Sequence, residues 1–307
     1  MAFTAKDVQA LREKTGVGMM ECKKALAATD GDMEKAVDIL REKGLAAAAK
    51  KATRIAAEGA VYAYVDDANK VGVVVEVNAE TDFAAKSEKF QEFVQSVAAI
   101  IAEKNPADVA ALMEMTVANG NTVADELREK VLVIGENLSV RRFARYEGDV
   151  VAYVHGEGRI GVLVKFEADA AASGTEALKA CGKDVAMQIA ALNAPYLSEA
   201  TVPAEDVAKE KEITVAQIQA DPKNASKPAN IIEKMVEGRM GKFFKENCLL
   251  NQEFVKDSSM NVAQYIADEA KKMGGEMALV DYVRFEKGEG LQKREDDFAA
   301  EVAAMAK

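Results

Sequence analysis

The sequence predicts an α+β fold whose centre is a duplicated unit of antiparallel sheet and helix. Residues 58–65 (EGAVYAYV) recur as residues 147–154 (EGDVVAYV), and residues 72–75 (GVVV) recur as residues 161–164 (GVLV), both 89 positions later. In each copy the strand-like pattern with a period of two is followed by a helix-like pattern. Two related strand–turn–strand–helix units indicate two sheets, each backed by helices.

The first domain, residues 1–45, is predicted to be a small three-helix bundle of the UBA-like type. Turn-forming residues separate its three amphipathic stretches, which cover residues 4–14, 19–29 and 32–43.

The alanine-rich stretch that follows, residues 46–57, favours a linker helix because alanine has the strongest helix propensity. Its cations Lys50, Lys51 and Arg54 are most simply part of a solvated face.

The first unit of the core is predicted over residues 58–146. A hairpin of two strands leads through the motif at residues 78–83 into a helix that Asn105-Pro106 ends. Further helical stretches and a third strand then follow, at residues 108–115, 123–134 and 138–146.

The second unit is predicted over residues 147–288, with a helix at 176–192 and a closing strand at 278–285. An inserted antiparallel helical hairpin, residues 204–246, interrupts it. Its two helices, 204–220 and 229–246, have facing apolar seams like those of a coiled coil. Such an arm has little core of its own and is expected to need a partner.

A C-terminal module, residues 289–307, is predicted as an appended helix. Its apolar residues Phe298, Val302 and Met305 lie on one helical face. The helix is therefore expected either to dock on the core or to bind a partner.

Composition argues against several classes of function. The chain has 307 residues, a net charge of −11 and a single histidine, His155. Cys22, Cys181 and Cys248 lack the spacing of a zinc site or a disulfide framework. The sequence contains no glycine-rich nucleotide-binding motif. We therefore expect a protein that is not an enzyme and that has no metal or cofactor of its own.

The sequence also lacks the patterns of a membrane or secreted protein. No apolar run approaches the ~18–20 residues that span a bilayer, and the N-terminal residues lack the order of a signal peptide. We expect a cytoplasmic protein that binds no membrane.

The strand-to-helix turn at residues 78–83 (NAETDF) places Phe83 next to Asp82, just before a helix predicted from about Ala84. Leaving a Phe side chain in water forgoes roughly 1.5–3 kcal/mol. Either the ring folds back as the first core residue of the helix, with Thr81 or Asp82 as the N-cap, or a partner covers it. The local pattern alone favours the core.

A pair of methionines, Met19 and Met20, follows a double-glycine turn. Methionine packs adaptably and is common on binding surfaces. We expect one of the two in the core and treat the other as a candidate contact.

Five collinear motifs give the chain a close resemblance to the bacterial elongation factor Ts family. They are LREKTGVGMMECKKAL (11–26), VNAETDFAAK (77–86), GENLSVRR (135–142), the His155-Gly156 turn before RIGVLV (159–164), and EKMVEGRM (233–240). The resemblance covers essentially the whole chain. It implies a guanine nucleotide exchange factor that binds the GTPase elongation factor Tu in its GDP form, displaces Mg²⁺ and promotes exchange of GDP for GTP.

The resemblance also implies partner-binding residues. The segment that displaces Mg²⁺ in the family corresponds to Thr81, Asp82, Phe83 and Ala84, although the family commonly has Val in place of Ala84. Other contacts with the GTPase correspond to Arg12, Met19, Met20, Lys23, Ile134, Gly135, Glu136, Asn137, His155, Met235 and Val236. For Met235 and Val236, packing in the seam of the hairpin is nearly as good an explanation. The C-terminal module resembles one that docks on the GTPase.

An alternative hypothesis is a non-catalytic ribosome- or RNA-associated binding module. The cations Lys50, Lys51, Arg54, Arg141 and Arg142 suggest it, whereas the acidic total argues against stable nucleic-acid binding. The sequence leaves open whether the hairpin produces a homodimer or a 2:2 complex with the GTPase.

Overall fold

The computed structural model describes residues 3–224 and 227–292 of the chain. Two three-stranded antiparallel sheets, each covered by helices, form its centre. The α+β class predicted from the sequence is confirmed.

The N-terminal part consists of helices α1 (Ala5–Thr15), α2 (Met19–Ala28) and α3 (Met33–Lys51). A capping box begins α1, because the Thr4 hydroxyl accepts from the N–H of Asp7 and the Asp7 carboxylate accepts from the N–H of Thr4. Gly16 ends α1 in the left-handed conformation, with φ 66°. The three helices enclose a buried cluster that includes Leu11, Cys22, Leu26 and Leu40. The UBA-like classification of this bundle stays a prediction.

The first sheet has the order β1 (Glu58–Asp66), β2 (Val71–Ala79), β3 (Leu138–Glu147). The second sheet consists of β4 (Asp149–His155), β5 (Ile160–Ala168) and the strand that closes the core, β8 (Met277–Glu286), in that order. A separate two-stranded ribbon pairs β6 (Glu253–Phe254) with β7 (Asp257–Asn261). The middle strands β2 and β5 lie 89 residues apart, as the sequence repeat predicts.

The two sheets face each other across a layer formed by Val61, Val74, Val150, Leu163 and Phe285. Two glycines allow the sheets to pack closely here. A Cβ atom on Gly72 would lie 2.4 Å from Val150 Cγ1, and one on Gly161 would lie 2.4 Å from Val61 Cγ1. The same 89-residue offset relates these two contacts, so the halves of the core meet through equivalent surfaces.

Four helices belong to the first unit: α4 (Asp82–Lys86), α5 (Glu88–Lys104), α6 (Val109–Met113) and α7 (Val123–Ile134). The single helix predicted from about Ala84 is in fact two helices. Ser87 divides them because its extended backbone ends α4, and its hydroxyl accepts from the N–H of Phe90 in α5. The predicted bounds of α7 are confirmed.

The predicted linker helix over residues 46–57 is confirmed only for residues 46–51, which belong to α3. Helix α3 continues through Gly44 to Lys51, and residues 52–57 are not helical. Gly44 is buried beside Leu132 of α7, and this packing offsets the ~1 kcal/mol by which glycine disfavours a helix. The helical alanines that follow are therefore part of α3.

The second unit contains α8 (Glu176–Leu192), α9 (Ala204–Ala220), α10 (Ala229–Asn247) and α11 (Val262–Met273). Helix α8 repeats α5: both have 17 residues and both end at a left-handed asparagine, Asn193 and Asn105. Helices α9 and α10 form the predicted hairpin around Ile218, Val236 and Met240. The β6–β7 ribbon and α11 have no counterpart among the predicted elements.

Most of the predicted C-terminal helix, from residue 293 onward, lies outside the described residues. Before it, the chain is held to the first sheet, since Arg141 donates to the carbonyl of Glu289 and Arg142 to its carboxylate. Within residues 3–224 and 227–292, no helix is both long and apolar enough to cross a membrane.

Candidate functional site

The turn between β2 and α4 is fixed at its first residue by an N-cap. Thr81 has extended backbone, and its hydroxyl oxygen accepts from the N–H of Ala84 at 3.2 Å. Ala84 and Ala85, on the inner side of α4, are buried in the core of the first unit. The prediction that Thr81 or Asp82 caps the helix is confirmed for Thr81.

Phe83 lies on the outer side of α4 with 82% of its surface exposed. The interpretation of this ring as the first core residue of the helix is therefore wrong. The buried positions of α4 are occupied by Ala84 and Ala85, and Phe83 is not among the buried residues of the helix. The exposed ring on a fixed turn therefore stays a candidate contact for a partner.

Asp82 is ionised and paired within α4. Its carboxylate accepts from Lys86 Nζ at 3.0 Å, one helical turn further on. The hydrogen bond from Lys86 is the main reason that the pKa of Asp82 lies below its ordinary value. A negative charge and an aromatic ring thus stand side by side.

Two carboxylates, one from each segment, join this turn to the loop after α7. Glu136 accepts from the N–H of Thr81 at 2.9 Å and from its hydroxyl at 2.7 Å. In the other direction, Glu80 accepts from the N–H of Asn137 at 2.6 Å. The side-chain amide of Asn137 also donates, through Nδ2, to the carbonyl of Arg54 at 2.9 Å. The structure thereby joins the predicted contact loop, residues 134–137, to the turn.

Within that loop, Ile134 is half-buried against the first core, and Gly135 is exposed in the left-handed conformation that ends α7. Glu136 and Asn137 are half-buried.

A cleft of about 770 Å³ separates α4 from the turn between β4 and β5. Phe83 and Asp82 lie on one wall, and Gly156, Glu157 and Arg159 lie on the other. The β4–β5 turn is anchored to the first sheet, because the N–H of Val61 donates to the carbonyl of Gly158 at 2.8 Å. The turn that carries Phe83 and the turn that follows His155 thus line one cleft.

His155 is exposed at the end of β4, beside that turn. Its Nδ1 lies 3.0 Å from the hydroxyl of Tyr153, which orients the ring. The imidazole is therefore at the surface and hydrogen-bonded to Tyr153.

The N-terminal candidates form a second surface. Met19 and Met20 are 45% and 62% exposed, so the expectation that one of them enters the core is wrong. The core positions of α2 are occupied by Cys22 and Leu26 instead. Arg12 and Lys23 are also exposed.

Arg12, Met19 and Lys89 line a groove of about 550 Å³ between the bundle and α5. Lys89 Nζ donates to the carbonyl of Gly16 at 3.0 Å and so ties the methionine turn to the start of α5. Because helix α5 begins directly after α4, Lys89 in this groove is close in sequence to the turn that carries Phe83.

Met235 and Val236 belong to the helical hairpin. Val236 is buried between α9 and α10, and Met235 is partly buried beside it. Both residues pack in the seam between α9 and α10. This packing is the alternative explanation that the apolar pattern of the hairpin indicates.

Three residues of the site were not named from the sequence: Glu80, Lys86 and Arg159. The pairing of Lys86 with Asp82 follows from their spacing of four residues on a helix. The contacts of Glu80 and Arg159 depend on the packing of distant segments, so local pattern carries no signal for them. Among the described residues, no group of three or more His, Cys, Asp or Glu side chains could hold a metal ion.

Comparisons with known proteins identify relatives along the whole chain. Residues 80–289 match the family model described as Elongation factor TS. Elongation factor Ts of Clostridioides difficile is 50% identical over 307 residues, with 99% of each chain covered. Elongation factor Ts of Clostridium perfringens is 49% identical over 306 residues, also with 99% of each covered, and that of Syntrophotalea carbinolica is 48% identical with both chains fully covered.

Proposed function

This chain belongs to the elongation factor Ts family of translation elongation factors, and from that premise we propose that it is a guanine nucleotide exchange factor for elongation factor Tu. It binds the GDP form of the GTPase, displaces Mg²⁺ and releases GDP, so that GTP can enter. It makes and breaks no covalent bond, and the complex forms in the cytoplasm.

The exchange function requires differential affinity. A ligand shifts an equilibrium only by the difference in its affinity for the two states, so the protein must bind the nucleotide-free GTPase more tightly than the GDP-loaded one. By linkage, GDP then weakens the binding of the exchange factor to the same extent. The site must therefore offer contacts that the GTPase makes only after its nucleotide pocket has opened.

Phe83 is the observation that carries the proposal. Its ring is 82% exposed although α4 is held by the Thr81 cap and by buried Ala84 and Ala85. Because the backbone is ordered before binding, little conformational entropy is lost when the ring enters an apolar gap in the partner. Burial of the ring then supplies roughly 1.5–3 kcal/mol to the open state of the GTPase.

Asp82 supplies the second part of the mechanism. Mg²⁺ in a GTPase bridges phosphate oxygens and is held by oxygen ligands and water. The ionised Asp82 carboxylate, next to the intruding ring, competes for the groups that hold the metal. Loss of the metal removes the charge that neutralises the GDP phosphates, so the nucleotide dissociates.

The other exposed candidates fix the orientation of the partner. Arg12, Met19, Met20 and Lys23 form a docking surface on the N-terminal bundle, and His155 forms one beside the cleft. These two separate surfaces hold the GTPase against the turn that carries Phe83. A homodimer or a 2:2 complex through the hairpin stays a prediction.

The alternative of an RNA-associated module has less support. Arg141 and Arg142 both donate to the buried carboxylate of Glu76, and Arg54 bonds to Glu80. These cations are therefore engaged within the protein and offer little charge to a phosphate backbone.

Stopped-flow release of fluorescent GDP from elongation factor Tu tests the function. With unlabelled GDP in excess, substoichiometric amounts of the protein should accelerate release of all the bound fluorescent GDP, because the free nucleotide displaces the exchange factor and lets it turn over. Release at the spontaneous rate would refute the proposal.

A further inference from the structure

We infer that Glu136 is a positioning residue, which holds α4 and so keeps Phe83 in its projecting orientation, and that it is not a contact with the partner. The inference rests on the proposed exchange function, since it concerns how the ring is presented to the GTPase.

Glu136 holds Thr81, the N-cap residue of α4, through two hydrogen bonds. The Thr81 hydroxyl has one hydrogen, and it points to Glu136 at 2.7 Å. The lone pairs of the same oxygen are then free to accept from the N–H of Ala84 at 3.2 Å. Glu136 also accepts from the backbone N–H of Thr81 at 2.9 Å. One carboxylate thus fixes both the backbone and the rotamer of the capping residue.

Helix α4 depends on this support because of its length. A helix of five residues is too short to persist by its own hydrogen bonds. The exposed Phe83 ring contributes almost no packing that could orient the helix. The direction of the ring is therefore set by Thr81 on one side and by buried Ala84 and Ala85 on the other.

The second half of the core provides an internal comparison at the equivalent turn, after β5. There Asp169 accepts from the N–H of Glu276 at 2.9 Å, just as Glu80 accepts from the N–H of Asn137. The chain then forms a turn instead of a helix, and residues 170–172, all alanine, stand where the first half carries Phe83. The second half has kept the fold without the projecting ring.

The residue equivalent to Glu136 in that half is Gly275. Each follows a left-handed glycine that ends a helix, Gly135 after α7 and Gly274 after α11. A Cβ on Gly275 would lie 2.5 Å from Asp169 Oδ1, so this turn closes without any side chain at that position. The ring and the supporting carboxylate occur together in one half and are both replaced in the other. Glu136 therefore accompanies the ring, and the second unit folds without a side chain at the equivalent position.

A direct contact between Glu136 and the partner is disfavoured by the same geometry. Both carboxylate oxygens are already used by Thr81, and the side chain is half-buried. A donor from the GTPase could reach only the remaining lone pairs of this half-buried carboxylate.

A double-mutant cycle on GDP release tests the inference, with wild type, Glu136→Gln, Phe83→Ala and the double variant. Glutamine can still accept from the N–H of Thr81, but its NH₂ group donates to the Thr81 hydroxyl instead of accepting from it, so the hydroxyl hydrogen loses its partner and the NH₂ group competes with the N–H of Ala84 for the lone pairs of the hydroxyl oxygen. We expect Glu136→Gln to slow release at saturating exchange factor about tenfold. The double variant should be no slower than Phe83→Ala. Multiplied effects would overturn the inference, because Glu136 would then act independently of the ring.

A measurement without the GTPase separates this inference from the proposed function. Hydrogen exchange at the amide of Ala84 reports the α4 cap directly, and we expect it to be about tenfold faster in Glu136→Gln at an unchanged urea midpoint. The exposed Glu114→Gln, which changes the net charge equally, serves as the control and should leave Ala84 protected. Unchanged protection in Glu136→Gln would overturn the positioning role even if the protein is an exchange factor. Faster exchange at Ala84 with no catalysis of GDP release by wild type would support the positioning role and refute the proposed function alone.

Discussion

The carboxylate of Glu76, fully buried in β2, accepts a hydrogen bond of 2.6 Å from Nε of Arg142 on the neighbouring strand β3. Arg141 donates to the same carboxylate at 3.0 Å, and the N–H of Gly288 donates at 2.8 Å. The Arg142 guanidinium also lies 4.3 Å from the ring centroid of Phe285 in β8. Because Gly288 follows β8, this one carboxylate joins the first sheet to the end of the second.

Replacing Glu76 with alanine should destabilise the protein by about 2–3 kcal/mol, because it leaves two guanidinium groups without their partner in a partly buried site. The value lies below that for a fully buried pair, since both arginines are partly exposed. Urea unfolding measures the change. The control is Glu167→Ala, which replaces an exposed carboxylate on β5. Equal losses of stability in the two variants would contradict the role of Glu76 in joining the sheets.

Stability should also fall with acid because of the same residue. Burial alone would raise the pKa of Glu76, but hydrogen bonds from Gly288, Asn78 and the two arginines hold it below its ordinary value. A carboxylate with a lowered pKa in the folded state stabilises the fold above its unfolded-state pKa, and this contribution is lost as pH falls through the folded-state pKa.

We therefore expect wild type to lose more unfolding free energy than Glu76→Gln between about pH 6 and pH 3. Urea titrations at several pH values measure this difference. Parallel losses in the two proteins would mean that Glu76 does not contribute to the acid sensitivity.

Alanine at Gly72 or at Gly161 should destabilise the core by about 1–3 kcal/mol each, because the new methyl group overlaps a valine of the facing sheet. Adding Val150→Ala to Gly72→Ala should recover part of the loss, since it removes the overlapping Cγ1 atom. Differential scanning calorimetry of the single and double variants checks this. Additive losses in the double variant would contradict the close packing of the sheets.

Gly238→Ala, in an open position on α10, should instead stabilise the protein by about 0.5–1 kcal/mol.

Much of the fold could be predicted from the sequence because its strands and helices have strong periodicity. The repeat at residues 58–65 and 147–154 anticipates both sheets, and the predicted bounds of α7, α8 and α9 agree with the structure. The errors occur where tertiary contacts outweigh local signals. Gly44 lies in the middle of α3 because α7 packs on it, and Ser87 divides a helix whose apolar pattern continues across it.

The candidate site was predictable only in part. The motif containing Phe83 is visible in the sequence, yet local pattern favours a buried ring, and only the inward direction of Ala84 and Ala85 shows the opposite. The bonds of Glu136 to Thr81 join residues 55 positions apart, and no local pattern reports such a contact. Val236, in contrast, is buried as the seam periodicity indicates.

The most direct test of the account is the rate of GDP release from elongation factor Tu with Phe83→Ala beside wild type. We expect the substitution to slow catalysed release about tenfold or more, through the lost burial of the ring in the open GTPase. Urea unfolding should stay unchanged because the ring is exposed. Leu192→Ala, which truncates another exposed apolar side chain at the end of α8, should release GDP at the wild-type rate. A wild-type rate with Phe83→Ala would contradict the role assigned to this ring.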